Sequence, residues 1–323
     1  AYGHPDLPHG VPIRHRDELD AIQRDMRECP GVSAIIYDQT CAAEKRRRRK
    51  RGKMVDPPRR LYINEAVCEG CGDCGVQSNC LAVVPVETEF GRKRAIDQSA
   101  CNKDYSCEKG FCPSFVSVIG GSVRKGRGTA GSGTTADSFA VPPAPTFAAT
   151  ATPYDILITG VGGTGVVTLG ALIGMAAHID GKGVTVLDMT GLAQKGGAVF
   201  SHVRICDDPE AIHAVRVATG DADALIGGDI IVSASPDALT RMQAGRTRVV
   251  VNCARTPTAD FTRNPDWQFP LERMQAVIGE TVGDDAAHFV DASDLAFRLL
   301  GDSIASNLFL LGYAWQKGLV PVS

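Results

Sequence analysis

Cys68-Glu69-Gly70-Cys71-Gly72-Asp73-Cys74-Gly75-Val76-Gln77-Ser78-Asn79-Cys80 decides the reading of this chain. Three cysteines at C-x₂-C-x₂-C spacing wrap a tight loop whose thiolates converge on one centre. Glycines at 70, 72 and 75 suit that loop, because they allow positive φ and close backbone approach. A second run follows: Cys101-Asn102-Lys103-Asp104-Tyr105-Ser106-Cys107, then Cys112-Pro113. Seven of the chain's eleven cysteines therefore lie between 68 and 112. With no export signal at the start, such clustering favours a reducing, cytoplasmic setting and thiolate ligation of metal over disulfides. Cys29, Cys41, Cys206 and Cys253 are isolated and read as small buried hydrophobes.

In two-cluster ferredoxins the last cysteine of each run ligates the other cluster. Laid on that template, Asp104 falls where a second cysteine belongs, giving C-x₂-D-x₂-C with one extra residue before the final Cys-Pro. The crossed rule then gives one cluster Cys68, Cys71, Cys74 and Cys112. It gives the other Cys80, Cys101 and Cys107, completed by Asp104 or water. A carboxylate is a harder, weaker ligand for iron than a thiolate, so the second cluster is expected to lose an iron easily and give a three-iron form. The competing reading is zinc, which normally takes two ligand pairs, often with His. This segment has no His and three evenly spaced cysteines.

Beyond these runs the chain divides into four segments. Residues 1–60 read as helix (Arg16–Glu28), strand (Val32–Tyr37) and a polar helix from Cys41. Residues 61–120 are cysteine-rich, with strand candidates Arg60–Ile63 and Val83–Val86. Residues 121–153, rich in Gly, Ser, Thr, Ala and Pro, read as a flexible linker. From 154 to 323 strands and helices alternate, with strands at Asp155–Thr159, Val184–Leu187, Ile230–Ser233, Val249–Asn252 and His288–Asp291. The fold class is thus a mixed α/β and α+β multidomain chain: a ferredoxin-like two-cluster domain, then a Rossmann-like domain on a mainly parallel sheet.

Gly160-Val161-Gly162-Gly163-Thr164-Gly165 follows the first of those strands and opens a helix to about His178. This G-x-G-x-x-G turn can present free N–H groups to a phosphate-bearing cofactor. Asp188, ending the next strand, stands close to where a dinucleotide site places its ribose-binding acid. Equally, the loop can be a tight strand–helix junction that binds nothing. Gln194-Lys195-Gly196-Gly197 is a second glycine patch, either a mobile loop near a substrate or a turn.

Lys45-Arg46-Arg47-Arg48-Arg49-Lys50-Arg51 is a run of seven cations. It reads as a solvated face, or as a docking surface for an acidic electron carrier; without interleaved aromatics, nucleic acid is the weakest fit. Overall, 323 residues with 44% hydrophobic and 22% charged residues and net charge −3 are ordinary for a globular chain. Nothing in this composition argues for nucleic-acid or membrane binding, and no apolar run has transmembrane length. Both ends look cut from something longer.

The order of parts resembles the thiamine-diphosphate-dependent 2-oxoacid:ferredoxin oxidoreductases, most closely the large fused indolepyruvate ferredoxin oxidoreductases. The stretches carrying the resemblance are Tyr37-Asp38-Gln39-Thr40-Cys41-Ala42-Ala43-Glu44-Lys45-Arg46, the two cysteine runs, the 160–165 loop and Lys195-Gly196-Gly197. It covers nearly the whole chain, least of all the linker. It implies that residues 1–60 are the tail of a thiamine-diphosphate-binding domain whose diphosphate and Mg²⁺ motif lies upstream, and that 154–323 is the gamma domain, truncated at its end. The implied reaction is oxidative decarboxylation of a 2-oxoacid, here indolepyruvate or another arylpyruvate, with coenzyme A as co-substrate and ferredoxin as electron acceptor. The implied partners are ferredoxin, the rest of the thiamine-binding part, and a second copy in a full-length homodimer. Many relatives have two complete four-cysteine runs, so Asp104 is a departure that bears on the second cluster. The alternatives are a stand-alone iron–sulphur carrier and an NAD(P)H-linked iron–sulphur reductase.

Overall fold

The computed structural model describes residues 10–121, 142–191, 197–256, 261, 264 and 266–323. Two compact units divide the chain at Asp56/Pro57. This boundary falls slightly ahead of residue 60 because Arg59 and Arg60 already belong to a strand of the second unit. Most of the 121–153 segment, and Lys195 and Gly196, lie outside the described residues.

In the first unit, helix α1 (Leu19–Glu28) follows a 3₁₀ turn at Arg16–Glu18. A capping box starts that turn: His15 Nδ1 accepts from the Asp17 amide at 3.3 Å and Glu18 Oε1 from the His15 amide at 3.2 Å. Leu19, Ile22 and Met26, at helical spacing, are its half-buried stripe. Val32–Tyr37 forms no strand. Its apolar residues suit a pleated surface, but no ladder forms, and Val32, Ile36 and Tyr37 are left exposed. Helix α2 (Ala42–Lys50) carries the basic run, and Glu44 pairs with Arg48 (3.0 Å) and Arg47 (3.5 Å) one turn on.

The second unit begins with the cysteine-rich region. Strand β1 (Arg59–Ile63) pairs antiparallel with β4 (Phe115–Ile119), and β2 (Val83–Thr88) with β3 (Gly91–Ile96). Between these ribbons lie helix α3 (Asp73–Ser78) and a 3₁₀ turn at Ser106–Glu108, packed on each other. This is an α+β arrangement, with Cys74 in α3, Cys107 in the 3₁₀ turn and the other cysteines of the two runs on the loops between elements.

A six-stranded sheet follows, in the order β10-β9-β8-β5-β7-β6. Its strands are β5 (Tyr154–Val161), β6 (Gly183–Thr190), β7 (Ala198–Cys206), β8 (Ala224–Gly227), β9 (Arg248–Asn252) and β10 (Ala287–Val290). β5, β8, β9 and β10 pair in parallel, whereas β7 runs antiparallel to both β5 and β6. Five strands therefore share one direction and β7 opposes them. The sequence reading missed β7 and β8. It also assigned Ile230–Ser233 to a strand, but these residues form a helical turn, α5 (Ile230–Ser233). An apolar run of four cannot distinguish the two by periodicity. The deciding group is Asp229, whose Oδ1 accepts from the Val232 amide at 2.9 Å and caps the turn.

Side-chain alternation along the central strands explains why both faces are covered. Ile156, Ile158, Ala224, Ile226 and Val250 point to one side, against Leu169 and Ile173 of α4 (Val166–Ile179). Leu310 and Ala314 of a later helix complete that face. Leu157, Leu225, Val249 and Val251 point to the other, against Ile230 of α5 and Ile278 and Val282 of a helix near the end of the chain. After the short α6 (Pro236–Leu239) these later helices are α7 (Leu271–Val282), α8 (Ala292–Leu300) and α9 (Ser306–Gln316). No helix among the described residues is long and apolar enough to cross a membrane.

Candidate functional site

The two cysteine loops repeat one backbone design. In the first, Gly70 and Gly72 are left-handed (φ 77° and 82°), two and four residues after Cys68. In the second, Lys103 and Tyr105 are left-handed (φ 52° and 60°) at the same offsets from Cys101. The amide two residues on approaches the leading sulphur in both: Gly70 N to Cys68 Sγ and Lys103 N to Cys101 Sγ, each 3.4 Å. A helical turn then follows each loop, α3 and the Ser106–Glu108 turn. By this register Asp104 stands where the first loop has Cys71. The Asp104 carboxylate is exposed, and its Oδ1 accepts from the Ser106 amide (3.2 Å) and hydroxyl (2.9 Å).

The thiols influence one another within and between the two loops, Cys74 acting on Cys107. Burial pushes Cys74 up to about 11, and the charges of Cys68 and Cys71 push in the same direction. Burial likewise raises Cys101, with Cys80 and Asp104 adding to it, and drives Cys107 up to about 12 with help from Cys80 and Cys101. Cys112 Sγ lies 2.9 Å from Ser114 Oγ. Among the described residues no three His, Cys, Asp or Glu side chains converge as a single-ion site. A cluster of several irons holds its thiolates further apart than one ion does. The donor set fits such a group: soft sulphurs on two like loops, most of them part-buried although Cys71 is exposed, each loop with a backbone N–H directed at its leading sulphur. Metal is bound by the thiolate form, so ligation here would release protons.

The other four cysteines divide. Cys206 is buried and Cys253 half-buried, but Cys29 and Cys41 are exposed, so burial is not what places them.

At the glycine loop, β5 runs into α4 through a turn in which several amides are engaged within the protein. Gly162 N donates to Gly197 O (2.8 Å) and Thr164 N to Val161 O (3.0 Å), while Val161 N donates to Asp229 Oδ2. A methyl group at Gly160 would meet Thr164 Oγ1 at 2.4 Å, and one at Gly165 (φ 85°) would meet Asn307 Nδ2 at 2.1 Å. Gly163 (φ 103°) faces open space. Asp188 is not brought to this loop. It is exposed on β6 and pairs with Ser201 of β7, which pairs in turn with Ile158 of β5. Two strand spacings, about 10 Å, therefore separate Asp188 from the glycine strand. The inserted β7 is the cause, and it was not visible as a strand in the sequence.

Two residues that the sequence reading passed over organise this end of the sheet. Asp229 is 4% exposed, and burial raises its pKa against the amides of Val232, Val161 and Ile231. Asn252, at the end of β9, donates to Gly228 O (3.1 Å) and Ser293 Oγ (3.0 Å) and accepts from the amides of Ala254 and Ala292. For Asp229 a signal existed: Gly227-Gly228-Asp229 before an apolar run is a helix-start pattern.

Glu44 and Arg48 of α2, with Arg51 and Lys53 just after it, line a hollow. Glu44 is held below the usual carboxylate range, chiefly by its hydrogen bond to Arg48.

Residues 155–323 match the family model described as pyruvate ferredoxin/flavodoxin oxidoreductase. The chain is 30% identical over 174 residues to the indolepyruvate oxidoreductase subunit IorB of Thermococcus kodakarensis, covering 53% of this chain and 80% of that one. It is 27% identical over 161 residues to the IorB subunit of Methanothermobacter thermautotrophicus, covering 50% and 77%. It is also similar to the crystal structure of pyruvate oxidoreductase subunit PORC from Thermotoga maritima, at 20% identity and TM-score 0.36 over 53% of this chain and 79% of that one. With the matched segment spanning the whole six-stranded sheet and its helices, the chain belongs to the pyruvate ferredoxin/flavodoxin oxidoreductase family and is a component of a 2-oxoacid oxidoreductase.

Proposed function

We propose that this chain supplies the electron-transfer and gamma portions of an arylpyruvate ferredoxin oxidoreductase, with indolepyruvate the substrate its relatives' names suggest. In this reading residues 1–60 are the tail of the thiamine-diphosphate domain. The remainder of that domain binds the cofactor and Mg²⁺, a second copy completes a homodimer, coenzyme A accepts the acyl group, and ferredoxin accepts the electrons.

The observation carrying the proposal is the repeated loop design, with an amide donated to the leading sulphur at the same offset in each. Cys68, Cys71, Cys74 and Cys112 would hold one cluster; Cys80, Cys101 and Cys107, with Asp104 or water, the other. Bound there, the clusters would supply one-electron carriers between the thiamine half and ferredoxin. The chain's own residues part-bury most of the sulphurs, Cys71 excepted, and direct N–H groups at Cys68 and Cys101, an arrangement that favours added negative charge. The basic α2 offers a face to an acidic ferredoxin, so electron transfer should weaken as salt is raised. An NAD(P)H-linked reductase is disfavoured, because Gly162 and Thr164 spend their amides internally and β7 separates Asp188 from the loop.

Anaerobic purification with iron and acid-labile sulphide analysis and EPR tests this. About eight irons, or about seven with a three-iron signal, support it. Asp104→Cys should then move the lower count toward the higher. Stoichiometric zinc without sulphide would overturn the proposal.

A further inference from the structure

Arg94, on β3, is a long cationic side chain that is only 2% exposed. Desolvation works against its charge, and the groups that favour it are, in order, Cys74, Cys68 and Cys71, with Arg92 opposing. Backbone geometry brings β3 to this loop independently of any charge. A methyl group built on Gly70, between Cys68 and Cys71, would lie 2.2 Å from the Arg92 carbonyl oxygen, so the two backbones touch there. Arg92 and Arg94 are two apart on one strand and share a face. Both engage the segment after β9: the Arg94 guanidinium carbon sits 4.6 Å over the Phe261 ring, and Arg92 donates to Trp267 O (2.7 Å) and Gln268 Oε1 (3.0 Å). Arg94 also donates to Lys93 O at 3.1 Å.

We propose that Arg94 is a potential-setting residue for the cluster held by Cys68, Cys71 and Cys74, clamped from the gamma domain by Phe261. This rests on the iron–sulphur reading above. Reduction adds one electron and makes or breaks no bond, so the added negative charge is the whole chemical change. A buried positive charge stabilises the more negative, reduced form and raises the potential; water and salt do not screen it as they would a surface charge. Arginine suits the place because it keeps its charge when buried and lays its planar face on an aromatic ring. The clamp makes the gamma domain a contributor to the redox level of the first cluster, though it supplies none of its ligands.

The test is an EPR-monitored redox titration of the full chain, wild type against Arg94→Met, Arg94→Lys and Phe261→Leu, with iron and sulphide counted on each sample. Arg94→Met should lower the reduced-to-oxidised ratio of the first cluster at least tenfold at a fixed potential, a shift of at least about 59 mV for one electron. Arg94→Lys should restore most of that shift, and Phe261→Leu should move it part of the way. The second cluster should move less in each variant. An assembled first cluster with unchanged potential in Arg94→Met would overturn the proposal while leaving the cluster reading intact. Wild-type protein without iron and sulphide would defeat the cluster reading itself. Should Arg94→Met fail to assemble, Arg94→Lys and Phe261→Leu decide: a wild-type potential in Phe261→Leu together with a fall of about 59 mV or more in Arg94→Lys, which keeps the charge, would overturn the proposal.

Discussion

Substituting Gly70 by alanine tests the cysteine loop most directly, provided it is measured beside Gly91→Ala on the same ribbon. Both glycines are left-handed, with φ 77° at Gly70 and 87° at Gly91. Alanine in that region costs roughly 1–2 kcal/mol, offset by roughly 0.4–1 kcal/mol from a stiffer unfolded chain. For Gly91 this is the whole effect, since a methyl group there meets nothing within 4 Å, and the net loss should be about 1 kcal/mol. At Gly70 the methyl group would lie 2.2 Å from the Arg92 carbonyl oxygen, which is main chain and cannot rotate away. The loop or β3 must shift, at the about 1–3 kcal/mol typical of overpacking, bringing the total to roughly 2–4 kcal/mol. The same shift carries Cys68 and Cys71 off their positions. Urea unfolding should therefore separate the variants by at least about 1 kcal/mol, and iron and sulphide content should fall in Gly70→Ala alone. Equal destabilisation with equal iron would refute the inferred contact between the loop and β3.

Three further outcomes follow from particular contacts. His202 is 2% exposed on β7, and burial, with Arg216 and Arg241 adding, lowers its pKa to about 4 while Nδ1 accepts from the Val217 amide at 3.2 Å. Because the unfolded chain takes up this proton near pH 6.5 and the folded chain only near 4, its contribution is complete above about 6.5 and is lost as pH falls; over the full window this amounts to at most about 3 kcal/mol. His202→Gln should flatten the fall in stability between pH 6.5 and 4.5, and an unchanged slope would exclude His202 as its source. Arg204 grips Asp155 with two bonds of 2.6 and 3.1 Å, and the carboxylate is almost wholly buried. Arg204→Met should cost about 3–5 kcal/mol at neutral pH and less in acid, where Asp155 can take a proton; denaturation at the two pH values reads the difference. Gly165→Ala should be destabilising through both its positive φ and its clash with Asn307 Nδ2 at 2.1 Å. Adding Asn307→Ala should recover the steric part but not the backbone part, giving a measurable coupling in a double-mutant cycle.

The tight loop of the cysteine region was legible because residue spacing is a local property: C-x₂-C-x₂-C with glycines between favours such a loop whatever surrounds it. The turn between β5 and α4 was legible for the same reason, since Gly163 and Gly165 occupy backbone conformations that ordinary side chains avoid. What could not be read was pairing. Ala198–Cys206 is a nine-residue strand, yet its register between β5 and β6 depends on partners far along the chain. Once β7 stands there, an acid that sequence spacing places beside the glycine loop is displaced by a full strand. The same limit hid β8, four residues with both faces buried and no alternation to betray it. Arg94 was equally illegible, because a strand such as Gly91-Arg92-Lys93-Arg94-Ala95-Ile96 reads as an exposed charged edge until Phe261 is seen lying over it.

The second cysteine loop carries an argument that the first cannot. Glycine adopts positive φ at little cost, so Gly70 and Gly72 by themselves show only that a tight loop is allowed. Lys103 and Tyr105 adopt the same region at roughly 1–2 kcal/mol each. Such conformations persist only where surrounding structure over-determines them. Here the determinants are visible: Tyr105 OH donates to Arg59 O at 2.9 Å with the Arg59 guanidinium 4.9 Å over its ring, and Lys103 Nζ donates to Pro57 O at 3.0 Å. The fold thus spends β1 contacts on holding a costly backbone shape at a loop that has lost one of its three cysteines. A loop serving only as a connection could relax through glycine or a longer turn. In the reading proposed above, this shape keeps Cys101 and Cys107 in the geometry of the Cys68–Cys74 loop for a shared ligand. The Cys101–Cys107 loop, rather than the more familiar Cys68–Cys74 run, is therefore the stronger structural reason to expect a second cluster with Asp104 at its edge.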